Sequence, residues 1–221
     1  MPRFLSRFLR NDRMECKSID DLYQIHPPLK QAETQADHRL ESRDELLSLI
    51  PIGKCGAELG VFTGMFSERL LAKTQPKKLY LVDVWHTVFN PNFPDWGLYT
   101  AHGTLSASMA LEAVKTRTRD NPVAEIIIRP SVEWMRGLAT DSLDWVYIDS
   151  SHSYDGTLEE LTEAARVIAK DGLILGDDAW IDPNSHHFGV FKAVRDFCRE
   201  NPWEIIHLDV AAQWAIRRWT D

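Results

Sequence analysis

The sequence predicts an α/β protein: a mostly parallel sheet covered by helices on both faces and ending in a reversed strand. Three observations carry this. Beyond Pro51, short apolar runs alternate with stretches of helical periodicity, the pattern of strand–helix–strand units. The first five runs are compact and do not alternate polar with apolar, as strands buried on both faces should not. The last two runs are separated only by Asp209–Ala212, too short for a crossover helix, so they form an antiparallel hairpin.

Residues 1–50 read as a helical N-terminal extension and 51–221 as the sheet domain. Pro27 and Pro28 interrupt the extension, and Leu40, Leu46, Leu47 and Ile50 supply apolar positions for a second helix. The strand candidates are Cys55–Val61, Lys78–Trp85, Ala124–Arg129, Leu143–Asp149, Gly172–Gly176, Trp203–Leu208 and Gln213–Trp219. Between them, helices are expected around Phe66 and Leu70, around Leu105, Met109 and Glu112–Val114, along Leu158, Leu161, Ala165 and Ile168, and along Val190, Val194 and Phe197.

Composition narrows the function classes. With 221 residues and 44% hydrophobic content, the chain can build one sizeable core, and disorder as the main state is excluded. A formal charge of −8 argues against a nucleic-acid binder. Cys16, Cys55 and Cys198 are too few and too scattered for a disulfide framework, and no CxxC pair suggests zinc, so a cytoplasmic protein is expected. No run of eighteen apolar residues suggests a membrane span. Met1–Arg10 carries Arg3, Arg7 and Arg10 with no acid. It reads as a docking helix or packed arm before a membrane-surface patch, and together with the helical extension it would suit a homo-oligomer.

In such sheets, functional residues collect at the carboxyl ends of the strands. The first strand end reads Glu58-Leu59-Gly60-Val61-Phe62-Thr63-Gly64. It lacks the close glycine pair of a dinucleotide fingerprint and suits a ligand that crosses the loop without a pyrophosphate. Gly60 would allow close approach, Gly64 would let the helix begin near the ligand, and Glu58 could hold an ammonium. A plain strand–helix turn explains the glycines equally well. Asp83, 23 residues after Gly60 and closing the second strand, stands where a carboxylate grips a ribose diol. After the third strand, Ser131 and Val132 would suit an adenine edge, or an ordinary loop.

Asp149 to Asp182 holds nine acids and two bases, a net charge of −7. Most of these acids are the wet face of a helix. Asp149, Asp177 and Asp178 differ, because they follow what should be neighbouring parallel strands. Three carboxylates at one sheet edge repel one another, and a hard divalent cation, Mg²⁺ before Ca²⁺ or Mn²⁺, would relieve this. The alternative is a turn-capping acid and no metal. His152, three residues past Asp149, could serve as a general base, a further metal ligand or a surface histidine.

The Glu58–Ser67 loop, the acid at Asp83, DSSHSYDGTLEEL from Asp149 and DGLILGDDAW from Asp171 together resemble class I S-adenosylmethionine-dependent methyltransferases. Within these, the metal-dependent macrocin- and mycinamicin-type sugar O-methyltransferases are the nearest pattern. The resemblance spans about residues 50–219. It implies a Rossmann-like sandwich whose seven-stranded sheet ends in an antiparallel strand. It assigns Glu58, Gly60 and Asp83 to S-adenosylmethionine, Asp149, Asp177 and Asp178 to Mg²⁺, and His152 to base catalysis. Many relatives carry a further acid two positions after the first metal aspartate, where this chain has Ser151. The implied reaction is methyl transfer to a hydroxyl of a small-molecule acceptor, such as a sugar, natural-product or catechol-like diol. Two rivals share these residues: a metal-dependent hydrolase, and a non-catalytic cofactor-binding protein of the same fold. His86–Gly103, rich in aromatic residues, suggests a lid or acceptor wall, or equally a loop packed over the sheet edge; Trp180, His186 and His187 could line the acceptor pocket, or the two histidines could be ordinary polar residues before the Phe188–Arg199 helix.

Overall fold

The computed structural model describes residues 18–37 and 40–219. The basic arm at residues 1–10 and Cys16 lie outside them. Seven strands, β1 (Cys55–Leu59), β2 (Lys78–Asp83), β3 (Ala124–Ile128), β4 (Leu143–Ile148), β5 (Ile168–Gly176), β6 (Trp203–Leu208) and β7 (Trp214–Arg218), form one sheet in the order β3-β2-β1-β4-β5-β7-β6. All pairings are parallel except those of β7, which runs against both β5 and β6. The chain order reverses between β1 and β4, so the crevice above these two strands is where such a sheet receives a ligand.

Strands buried on both faces split their side chains between two cores. In β4, Trp145 and Tyr147 join one core while Val146 and Ile148 join the other. The first core is covered by α1 (Ile19–Ile25), α2 (Pro27–Asp37), α3 (Asp44–Leu47), α4 (Met65–Thr74) and α5 (Ala107–Thr118). The second is covered by α6 (Ser131–Arg136), α7 (Tyr154–Val167) and α8 (Phe188–Glu200). No helix among the described residues is long and apolar enough to cross a membrane.

The extension is continuous with the domain: Leu22, Leu29, Ala32, Leu46, Leu47 and Ile50 are buried in the same core as β1 and β4 side chains. Pro27 opens α2, where its missing N–H costs nothing. The expected second helix there is a 3₁₀ turn (Glu41–Arg43) followed by the short α3.

Three boundaries differ from the sequence reading. Ile168 ends no helix but begins β5, paired with Leu143, and Arg218 donates to the carbonyls of Ile168 and Ala169 at 3.1 and 2.9 Å. Leu105 precedes α5 and accepts from Phe93 N–H at 3.1 Å. Ser131 and Val132 lie not in a loop but in the first turn of α6.

Candidate functional site

Backbone hydrogen bonds continue the parallel ladders one residue past the strands. Gly60 N–H donates to Val82 O, Asp149 N–H to Leu59 O and Asp177 N–H to Ile148 O, at 2.8–3.1 Å. These bonds fix the glycine loop and the two acidic corners at one sheet edge. Gly60 has φ +85°, and a Cβ there would meet Asp149 O at 2.0 Å. Only glycine lets β1 and β4 end this close together. Gly64 also has a positive φ (+82°) and packs against Val114 of α5, so its need for glycine comes from the fold.

Asp83 is half-buried and tied to the same loop. One carboxylate oxygen accepts from Val61 and Phe62 N–H at 2.9 and 2.8 Å, the other from Val84 and Trp85 N–H at 2.6 and 3.4 Å. Burial pushes its pKa up, and these amide bonds oppose the shift. Its acceptor positions are filled by backbone, so a ribose diol would have to compete with the loop's own amides.

Glu58 is buried and accepts a hydrogen bond from Ser67 Oγ. Burial pushes its pKa up to about 8, against the opposing effects of the Ser67 bond and the nearby Arg43 charge. One cavity is lined by Glu58, Gly60, Phe62, Tyr99, Asp149 and Arg43. From the aromatic segment expected as a lid, Tyr99 reaches this lining. Tyr99 stacks on Phe62 at 4.7 Å between ring centroids, and Phe93 meets the same ring edge-on at 5.2 Å. The segment is held in place by 3₁₀ turns (Trp85–Thr87 and Gly97–Thr100) and by α2 packed on the second of them.

Asp149, Asp177 and Asp178 do converge: one oxygen of each lies within 4.8 Å of the others. Sequence reasoning did not foresee their partners. Arg43, from the turn before α3, places Nη2 3.0 Å from Asp149 Oδ2 and hydrogen-bonds Asp177 Oδ2. The other Asp177 oxygen accepts from Gln213 Nε2 and from Asp178 N–H. Arg43 packs over the rings of Phe66 and Tyr147, at 4.6 and 5.8 Å to the centroids, and its side chain is 8% exposed. Burial alone would lower its pKa, but Tyr147, Asp149 and Asp177 more than offset this, so the guanidinium stays charged. Its Nε is buried without a hydrogen-bond partner.

Asp178 sits at φ +63°, a left-handed conformation that aspartate tolerates better than most residues. Its Oδ2 lies 3.1 Å from His152 Nδ1 and 2.8 Å from His187 Nδ1. The buried His187 nitrogen has no hydrogen-bond partner. The two imidazoles stack at 4.5 Å. Gly189 makes this juxtaposition feasible, since a Cβ there would meet Tyr154 N of α7 at 2.7 Å. Burial would lower the His152 pKa, but the hydrogen bond to Asp178 and the charges of Asp149 and Asp177 win, and it is raised above its usual value.

The other sequence candidates are less directly engaged. Ser131 Oγ donates to Glu160, as does Ser150 Oγ, so its hydroxyl is committed to α7. Val132 is half-buried in α6. Trp180 is 38% exposed and turns its indole N–H toward Asp178 Oδ1 at 3.2 Å. Ser151, which replaces the acid of many relatives, pairs with Ser153 Oγ at 3.1 Å.

The cavity is lined by a buried acid, Glu58, and a buried cation, Arg43. That pair suits the ammonium and carboxylate of an amino-acid moiety, as S-adenosylmethionine has. The three aspartates as arranged do not suit Mg²⁺. The ion needs oxygen ligands at about 2.1 Å in an octahedron, and the guanidinium occupies the space that Asp149 and Asp177 share. The acids meet at one sheet edge as the sequence leads one to expect, and Arg43 lies between Asp149 and Asp177.

A family model described as a methyltransferase domain matches residues 55–179. No curated protein matches the sequence. Among solved structures, a protein of Corynebacterium glutamicum aligns with a TM-score of 0.62 at 12% identity, over 88% of this chain and 91% of that one. A candidate rRNA methylase from Clostridium thermocellum aligns with 0.55 at 10% identity, over 82% and 95%. A candidate O-methyltransferase from Klebsiella pneumoniae aligns with 0.54 at 15% identity, over 88% and 87%. At these identities the likeness is one of fold.

Proposed function

The chain belongs to the methyltransferase-domain family, and from that premise we propose that it transfers the methyl group of S-adenosylmethionine to a hydroxyl of a small molecule. The observation that carries the choice of oxygen acceptor is the His152–Asp178 pair, which follows the carboxyl ends of the neighbouring strands β4 and β5. A hydroxyl is a weak nucleophile until its proton is taken, and an imidazole held by a carboxylate can take it. A sugar, natural-product or catechol-like hydroxyl fits this chemistry.

When bound, S-adenosylmethionine supplies a sulfonium methyl whose C–S bond breaks as the C–O bond to the acceptor forms, leaving S-adenosylhomocysteine and a methyl ether. Asp178 holds His152 by Nδ1, which leaves Nε2 to accept the hydroxyl proton. Glu58 offers its carboxyl to an ammonium, and Gly60 keeps the loop flush against Asp149. Phe62 and Tyr99 form an aromatic wall that excludes water from one side of the cavity. No step passes through a metal ion.

The test is transfer of a labelled methyl group to a panel of hydroxyl-bearing acceptors, including vicinal diols. Wild-type protein should label at least one acceptor. His152→Ala should lose about 10²–10⁴ in kcat with cofactor affinity unchanged. Equal loss of both would remove His152 as the base. Label on no acceptor, with the cofactor bound, would favour the non-catalytic reading.

A further inference from the structure

The acids at the ends of β4 and β5 are arranged around Arg43, and three observations make that arrangement part of the fold. The guanidinium reaches two carboxylates that lie 106 and 134 residues away in sequence. It rests on two aromatic rings, Phe66 and Tyr147. Tyr147 also carries the far end of the network: its hydroxyl donates to Gln213 Oε1 at 3.0 Å, and Gln213 Nε2 donates to Asp177. Asp177 thus has protein donors on both oxygens, and its side chain is fully buried. An arginine cannot leave such a site by losing its proton. A divalent ion could bridge Asp149 and Asp177 only if the whole side chain swung out.

We propose that Arg43 is the resident cation of this corner and takes the place of a metal ion, so that the protein binds no divalent cation there and its transferase activity is independent of added metal. Three carboxylates without a counter-charge would destabilise one another. The guanidinium meets Asp149 and Asp177, and the paired histidines meet Asp178. Arg43 also lines the cavity of the glycine loop, and its Nε is buried without a hydrogen-bond partner. A planar guanidinium gives directional hydrogen bonds where a metal ion would give coordination, and a lysine would not reproduce them.

The claim of a metal-free corner is read without turnover; only its second half, metal-independent activity, rests on the proposed methyl transfer. Mn²⁺ is titrated into the full-length protein and the free ion is followed by electron paramagnetic resonance. Wild type should leave Mn²⁺ free, whereas Arg43→Met should bind one ion per chain, lost again in Arg43→Met/Asp177→Asn. Stoichiometric Mn²⁺ on wild type, or a folded Arg43→Met that leaves the ion free, overturns the proposal. If Arg43→Met does not fold, the wild-type melting temperature decides, because an ion that binds only the folded state must raise it. No change with excess Mg²⁺ or with a chelator supports the proposal, and a rise with Mg²⁺ overturns it. Methyl transfer that survives chelator is the matching kinetic result, and transfer abolished by chelator and restored by Mg²⁺ overturns it. A failure to find any acceptor would leave the Mn²⁺ result standing and would count only against the transferase reading.

Discussion

Replacing Glu58 by Gln should change how stability depends on pH, and the size of the change follows from the environment of the carboxyl. Burial lifts the Glu58 pKa from 4.5 to about 8. The unfolded chain releases this proton near 4.5, while the folded chain holds it to about 8. Between those limits the folded state binds more protons than the unfolded one, so stability falls as pH rises. Below 4.5 both states are protonated and nothing is lost. Each pH unit in the window is worth about 1.4 kcal/mol, so the full loss is on the order of 5 kcal/mol by pH 8. Glutamine keeps the shape and an acceptor for Ser67 but carries no proton to lose. Urea unfolding of wild type and Glu58→Gln at intervals from pH 4 to pH 9 is the assay. Titrations of all other groups cancel in the difference between the two. The variant should gain on wild type as pH rises, by several kcal/mol at the alkaline end. Parallel curves would refute the reasoning and show that Glu58 titrates in the folded protein as it does in the unfolded chain.

Two further substitutions test neighbouring parts of the site. Asp83→Asn turns one of the two amide-accepting oxygens into an N–H₂ facing backbone N–H groups, so it should cost about 2–5 kcal/mol in urea unfolding; a loss below about 1 kcal/mol would mean the loop is held by other contacts. For His152, only the neutral imidazole accepts a proton. Methyl transfer should therefore rise with pH, with a midpoint above the usual histidine value, because the Asp178 bond and nearby charges outweigh burial. Asp178→Asn should move that midpoint to lower pH and lower the plateau. A pH–rate profile unmoved by the substitution would separate Asp178 from the base.

The fold was legible because each strand run is compact, apolar and bounded by polar turns. The alternation of runs with helical periodicity left little room for another topology, and the short Asp209–Ala212 link dictated the reversed β7. Boundaries failed where local pattern and tertiary pairing disagree. Ile168 continues the periodicity of α7, yet its pairing with Leu143 draws it into β5. The six-residue α6 is too short for periodicity to register.

At the site, strand ends identified Asp149, Asp177, Asp178 and His152, because sheet geometry alone brings them to one edge. Their partners were invisible to that logic. Arg43 is one arginine in a charged helical stretch, and nothing local distinguishes it from Arg69, which pairs with Asp44 at a partly exposed position. Its role arises from packing the extension against β1 and β4. His187 was legible as a candidate lining residue of the acceptor pocket or as a plain polar residue before a helix, not as a partner of Asp178. Its contact with Asp178 depends on the close approach of α8 to α7 at Gly189. Asp83 was correctly seen as a strand-end acid, but its bonds to four backbone amides depend on the loop's conformation, which spacing does not reveal.

The central claim is that the crevice between β1 and β4 receives an adenosyl amino acid next to the His152–Asp178 pair. Calorimetric titration with S-adenosylhomocysteine tests this most directly, since it needs no knowledge of the acceptor. The account predicts saturable binding of one molecule per chain, weakened by Gly60→Val, which would force the loop away from Asp149, and unchanged by His152→Ala. Absence of binding up to millimolar ligand by a folded protein would contradict it.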